Sequence, residues 1–198
     1  MKKLDLLVTG IGGQGVIIAS DIIGEAALAD GYDVKKTDTL GMAQRGGSVI
    51  SHVRIARQVW SPLIRQGEVD ILLAFEKLEA ARWSQYLCQD GIAIINNQSI
   101  PPLSVSTGVE QYPTDEEITA ILKERTDRIY FVDGIARAKE LGNIRTVNTF
   151  MLGCASVFIP LKVQTWKDSL SQHLPLKLLD INLLAFDRGR KEMRHARQ

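Results

Sequence analysis

Apolar positions along this chain fall into short blocks of strand length that alternate with longer runs of helical period. Leu4, Leu6, Leu7 and Val8 form the first block, and Val16 to Ala29 follow as a helix pattern with almost no polar face. A short run apolar at nearly every position is what a strand buried on both faces requires. The helix is expected to end near Asp30-Gly31, with Gly31 as the left-handed cap residue. A more polar strand follows over Asp33 to Thr39. From Ser48 the period becomes two: Val49, Ser51, Val53 and Ile55 face one way, Ile50, His52, Arg54 and Ala56 the other. A strand arriving this soon after another, with no room for a crossover helix, predicts an antiparallel excursion.

Further on, Val69 to Phe75 reads as a buried strand, Glu76 to Leu87 as a helix, Gly91 as a turn and Ile92 to Ile95 as another strand. Ile100-Pro101-Pro102 to Gly108 is connecting chain, because consecutive prolines exclude both helix and central strand. Thr114-Asp115-Glu116-Glu117 is a capping box opening a helix through about Arg125. Ile129 to Val132 forms a strand, and Gly134 to Leu141 a short helix stopped at Gly142-Asn143. From Val147 the pattern is helical throughout, over Val147 to Phe158, Val163 to His173 and Leu176 to about His195. The prediction is a Rossmann-like α/β fold: a mainly parallel sheet covered on both faces, an antiparallel excursion and a helical C-terminal extension. Residues 1–198 are expected to form one domain, with 147–198 its helical part; the length suits this.

Two glycine-rich loops interrupt these elements. The first, Gly10-Ile11-Gly12-Gly13-Gln14-Gly15, turns the first strand into the first helix. Glycine there tolerates positive φ and brings bare backbone amides close to a ligand, and the start of the helix favours an anion. Gly10, Gly12 and Gly15 match dinucleotide-fingerprint spacing, and Asp38 lies where a ribose-binding carboxylate would sit. On spacing alone, nucleotide binding and an unliganded tight turn stand equal. The second loop is Leu40-Gly41-Met42-Ala43-Gln44-Arg45-Gly46-Gly47-Ser48. Arg45, between Gln44 and Gly46-Gly47-Ser48, offers a guanidinium fork suited to carboxylate or phosphate. Both loops are expected on the carboxyl edge of the sheet, where ligands of open α/β sheets bind.

Composition narrows the functional classes. A net charge of +1 argues against general capture of nucleic acid or anionic membrane. No apolar run reaches the roughly 18–20 residues of a membrane span, and Asp5 interrupts the short apolar stretch after Met1-Lys2-Lys3, so a cytoplasmic location is expected. Cys88 and Cys154, the only cysteines, cannot complete an iron–sulfur cluster or four-cysteine zinc site and are read as small buried residues. His52 is read as a hydrogen-bonded strand residue, and His173 and His195 as helix residues without a catalytic role. Glu76 and Glu79 suit the start of a helix better than a catalytic pair. Arg188, Arg190, Lys191, Arg194 and Arg197 read as a solvated helix end. No residue set on this chain performs chemistry unaided.

The two loops in this order, with Ser51-His52-Val53-Arg54-Ile55, resemble the gamma-type domain of 2-oxoacid:ferredoxin oxidoreductases. Val69-Asp70 to Glu76, Asn148 to Gly153 and Asn182 to Arg190 extend the resemblance over most of the chain. Met42-Ala43-Gln44 before Arg45 is similar to the beta subunits of the indolepyruvate branch. The resemblance implies a reaction in which an arylpyruvate, CoA and oxidised ferredoxin give an aryl-acetyl-CoA, carbon dioxide and reduced ferredoxin. It implies thiamine diphosphate, Mg and iron–sulfur clusters on a larger alpha subunit, with ferredoxin met through the complex and no cofactor held tightly here. It places this chain over the partner's active site. Gly10, Gly12, Gly13, Gln14, Gly15, Gln44, Arg45, Gly46, Gly47 and Ser48 then contact CoA, substrate or the partner backbone. The rival readings are an NAD-binding dehydrogenase or redox sensor using Asp38, and a scaffold protein without ligand.

Overall fold

The computed structural model describes residues 3–40 and 46–197. Its sheet has six strands in the order β2-β3-β1-β4-β5-β6: β1 (Lys3–Ile11), β2 (Asp33–Leu40), β3 (Ser48–Ala56), β4 (Val69–Ala74), β5 (Leu87–Asn96) and β6 (Ile129–Val132). β1, β4, β5 and β6 pair in parallel, whereas β3 runs antiparallel to both β1 and β2. The excursion is therefore present and sits inside the sheet, between the first two strands of the sequence.

Alternation along β1 builds two cores. Leu6 and Val8 pack on one face with Val53, Ile55, Ile71, Leu73 and Ile94. Leu7 points to the other, with Ile50, Leu72, Ala74, Ala93 and Ile95. The first face is covered by α1 (Val16–Ala29) and α6 (Val147–Ala155). The second is covered by α2 (Lys77–Trp83) and α4 (Asp115–Lys123). Thr114 caps α4 as the sequence predicts: its hydroxyl accepts from the Glu117 amide at 3.2 Å, and the Glu117 carboxylate accepts from the Thr114 amide at 2.8 Å.

A third layer lies outside α1 and α6. α7 (Val163–His173) packs on α1, where fully buried Trp166 meets Phe186 and Ser169 donates to the Ile22 carbonyl at 3.2 Å. α8 (Leu176–Ala196) lies along α6 and runs in the same direction, pairing Thr149 with Asn182 and Ser156 with Arg190. Two glycines allow this closeness. A Cβ on Gly153 would stand 2.2 Å from the Phe186 carbonyl oxygen, and one on Gly189 2.1 Å from that of Phe150.

Four sequence expectations are corrected. The helix after β4 ends at Trp83 and passes through a 3-10 turn at Ser84–Tyr86, and β5 begins at Leu87, five residues before Ile92. Gly91 lies inside β5 next to a register shift, where a Cβ would come within 3.0 Å of the Cys88 and Val69 carbonyl oxygens; it marks a bulge, not a turn. The segment after Pro102 contains a short helix, α3 (Leu103–Ser106). Cys154 is buried, and its thiol reaches the Gly189 carbonyl at 3.5 Å, but Cys88 is only half-buried. The remaining helix, α5 (Gly134–Glu140), connects β6 to a 3-10 turn at Ile144–Thr146 that leads into α6.

Candidate functional site

The two glycine loops meet. β1 ends at Ile11 opposite Ser48, the first residue of β3, and the Gly12 amide donates to the Gly47 carbonyl at 2.8 Å. An antiparallel neighbour makes this possible, because the entrance to β3 lies beside the exit from β1, on the carboxyl edge of the parallel strands. Gly10, Gly12, Gly13, Gln14, Gly15, Gly46, Gly47 and Ser48 thus share one corner of the molecule. Gln44 and Arg45 belong to the same loop by sequence but lie outside the described residues.

Gly13, Gln14 and Gly15 in the first loop each have a physical reason to be there. Gly13 and Gly15 have φ of 102° and 76°, the left-handed region that favours glycine. Gly15 is also hemmed in, since a Cβ there would stand 2.0 Å from the Asn148 side-chain nitrogen. Gln14 acts as a clip: its Oε1 accepts from the Ile11 amide at 2.8 Å, and its Nε2 donates to the Phe75 carbonyl at 3.1 Å and to Gln98 Oε1 at 3.2 Å. Asn96 completes the web, donating to the Phe75 carbonyl and Gln98 Oε1, both at 3.2 Å, and accepting from the Gly134 amide at 3.1 Å. One chain of amides therefore ties the ends of β1, β4 and β5 to the start of α5.

The second loop is anchored by one carboxylate, which a second supports through α2. Ser48 donates to Glu79, which is almost wholly buried and also accepts from Arg82 at 3.0 Å and Trp83 Nε1 at 3.3 Å. Glu76, fully buried, caps α2 by accepting from the Glu79 amide at 2.9 Å; it also accepts from the Ile100 amide at 3.0 Å and from the Tyr112 hydroxyl. Burial and then the Glu76 carboxylate push the Tyr112 phenol up from its ordinary value. These partners account for both glutamates as structural groups. His52 is likewise structural: its Nδ1 accepts from the Ile64 amide at 3.3 Å, its ring meets Tyr86 edge-on, and burial holds its pKa below the usual value.

Beside the first loop opens a cleft of about 450 Å³. Gly13, Gln14, Gly15, Gln98, Arg145 and Asn148 form its polar side, and Ile18, Phe75, Ile135, Ile144 and Val147 its apolar side. The starts of α1 and α6 both border it, with Arg145 beside them. Such a lining suits a ligand with an apolar body and an anionic group. Sequence reasoning did not assign Gln98, Arg145 or Asn148 to a site. Gln98 stands 84 residues from its partner Gln14, and only the match of the stretch from Asn148 to Gly153 to the family pattern hinted at the third.

Asp38 does not serve this site. β3 intervenes between β1 and β2, so Asp38 sits opposite Ser51, whose hydroxyl donates to it at 2.6 Å, and pairs with Lys36 at 3.1 Å. The dinucleotide geometry, with the second strand beside the first, is absent. The chain's residues also do not fit an iron–sulfur cluster, having two thiols on separate elements. Among the described residues no three His, Cys, Asp or Glu side chains gather as a metal cage.

Comparison with known proteins gives a consistent result. Residues 5–192 match the family described as pyruvate ferredoxin/flavodoxin oxidoreductase. The indolepyruvate oxidoreductase subunit IorB of Pyrococcus horikoshii is 37% identical over 194 residues, 96% of each chain. Among solved structures, a keto/oxoacid ferredoxin oxidoreductase gamma subunit from Geobacter sulfurreducens superposes with a TM-score of 0.72 at 20% identity, over 97% of this chain and 99% of that one. A 2-oxoglutarate:ferredoxin oxidoreductase from Magnetococcus marinus, with 2-oxoglutarate, coenzyme A and succinyl-CoA bound, gives a TM-score of 0.77 at 24% identity, over 98% of this chain and 32% of that much longer one.

Proposed function

We propose, from the fact that this chain belongs to the pyruvate ferredoxin/flavodoxin oxidoreductase family together with the IorB subunits, that it is the small subunit of an indolepyruvate-type 2-oxoacid:ferredoxin oxidoreductase. The complex converts an arylpyruvate, CoA and oxidised ferredoxin into an aryl-acetyl-CoA, carbon dioxide and reduced ferredoxin. Thiamine diphosphate with Mg and iron–sulfur clusters, expected on the larger subunit, supply the decarboxylation and the electron path. Residues 1–198 act as one gamma-type domain, with 147–198 its helical part, in the cytoplasm.

The observation that carries this reading is the Gly12–Gly47 hydrogen bond, which joins two loops of bare backbone into one rim. The glycines of this rim allow another polypeptide or a bound cosubstrate to approach the backbone closely. This chain's part is to cover the partner's active site, limit water there, and offer amides and Arg145 to an anionic group of CoA or the oxoacid. Gly10, Gly12, Gly13, Gln14, Gly15, Gln44, Arg45, Gly46, Gly47 and Ser48 are its contact residues. An NAD-binding reading loses its support with the displacement of Asp38.

Native co-purification with a large thiamine- and iron-containing chain, followed by reconstitution, tests the proposal. The isolated chain is expected to oxidise no oxoacid and to give no heat with NADH. Arg45→Ala is expected to lower the turnover of the complex by about tenfold or more, the scale of one charged contact. Robust activity from the isolated chain, or unchanged turnover with Arg45→Ala, overturns it.

A further inference from the structure

α8 carries a second concentration of positive charge, at the far end of α6 from the glycine rim. Arg190, Arg194 and Arg197 follow one another at spacings that put them on one helix face. With Val157 they line an open hollow of about 480 Å³. Arg194 and Arg190 also border an adjoining hollow of about 340 Å³ with Lys191, His195 and Asp187. Two of the three acids of this helix pair with cations elsewhere: Asp187 with Lys167 at 2.7 Å, and Glu192 with Arg137 at 2.7 Å. Among the described residues no carboxylate pairs with any of the three arginines.

The guanidiniums of Arg190 and Arg197 are held by other means. Arg190 is nine-tenths buried, donates to the Ser156 hydroxyl at 2.6 Å and carbonyl at 3.2 Å, and lies 5.8 Å from the centre of the Phe186 ring. Arg197 lies 5.5 Å from the centre of the Phe158 ring. Burial, and then the nearby Arg194 charge, lower the pKa of Arg190 against the smaller opposing effect of Asp187. Cations in a last helical turn complement the dipole, which accounts for the sign of Arg194 and Arg197. It does not account for Arg190, more than a turn earlier, nor for the larger hollow lined by three like charges and Val157.

We propose that Arg190, Arg194 and Arg197 form a binding site for a phosphate-type oxyanion, separate from the glycine rim. Preset guanidinium forks match the oxygens of a phosphoryl group, and such an anion relieves the repulsion among them. The group comes either as a free ion or as the phosphate ester of a small metabolite. The inference is independent of the oxidoreductase reading.

Calorimetric titration of the full chain with inorganic phosphate, diphosphate and AMP, at ionic strength fixed with sodium chloride, tests it. Saturable binding at one site is expected, weakened by about tenfold or more in Arg194→Gln/Arg197→Gln. Arg125→Gln, a charge change on an exposed residue elsewhere, is expected to bind as the wild type does. Binding of AMP identifies a phosphate ester as the ligand form, and binding of the inorganic ions alone identifies the free ion. Both variant positions are exposed, so the fold is expected to persist, which circular dichroism checks; the two single variants carry the test if the double variant does not fold. Absence of saturable binding by all three probes, or a smaller loss in the variants, leaves only helix-end cations and overturns the proposal.

Discussion

Gln14 shows how much one side chain settles at the rim. Its amide must present an acceptor to the Ile11 amide and a donor to the Phe75 carbonyl and Gln98 at once. Gln14→Glu keeps the acceptor and sets a carboxylate oxygen against two other acceptors. A loss of about 1–3 kcal/mol in urea denaturation is expected, the scale of unsatisfied buried polar groups, with a larger fall in complex turnover than in stability. His52 makes a different prediction. Its folded pKa is depressed by burial, and its Nδ1 is committed as an acceptor. As pH falls below about 6.5 the unfolded chain takes up a proton that the folded chain refuses, so stability falls. The added slope is at most about 1.4 kcal/mol per pH unit, and His52→Asn is expected to remove it in denaturation curves measured from pH 7.5 downward.

At the scale of elements, the α6–α8 crossing is set by Gly153 and Gly189. Alanine favours a helix over glycine by about 1 kcal/mol, but a Cβ at position 189 would meet the Phe150 carbonyl oxygen at 2.1 Å, a backbone atom that cannot rotate away. The clash wins: Gly189→Ala is expected to cost about 1–3 kcal/mol in chemical denaturation. Gly24→Ala in α1, where the new Cβ would find only Val34 at 3.5 Å, is expected to be neutral or stabilising by up to about 1 kcal/mol. Helices with a strong start or stop signal were legible: α1 over Val16–Ala29, α4 from its capping box, and α5 to its Gly142 stop. The beginning of β5 was not. Leu87 to Gly91 carries no alternating pattern, and its strand conformation comes from pairing with β4 around a bulge, a contact that local pattern does not encode.

For the whole molecule, the sequence indicated that both glycine loops lie on the carboxyl edge of the sheet, because each follows a strand pattern of an open α/β fold. It did not indicate that β3 separates β1 from β2, and that single insertion both removes Asp38 from the site and brings Gly47 to Gly12. The cleft was less legible still. Arg145 and Asn148 reach Gly15 only through the packing of α6 against α1, and no local spacing relates residues more than a hundred positions apart.

The position of β2 has a consequence for assembly. As the outermost strand on its side among the described residues it offers a backbone edge to any passing strand, yet its Lys36 is tied to Asp21 and Asp38, and Lys35 to Asp33. At the opposite margin β6 has only four residues. Charged or short borders discourage continuation from one protein's sheet into another's. Neighbouring chains are thus steered toward this molecule's loops and helix surfaces, and fibrous stacking of its copies is disfavoured.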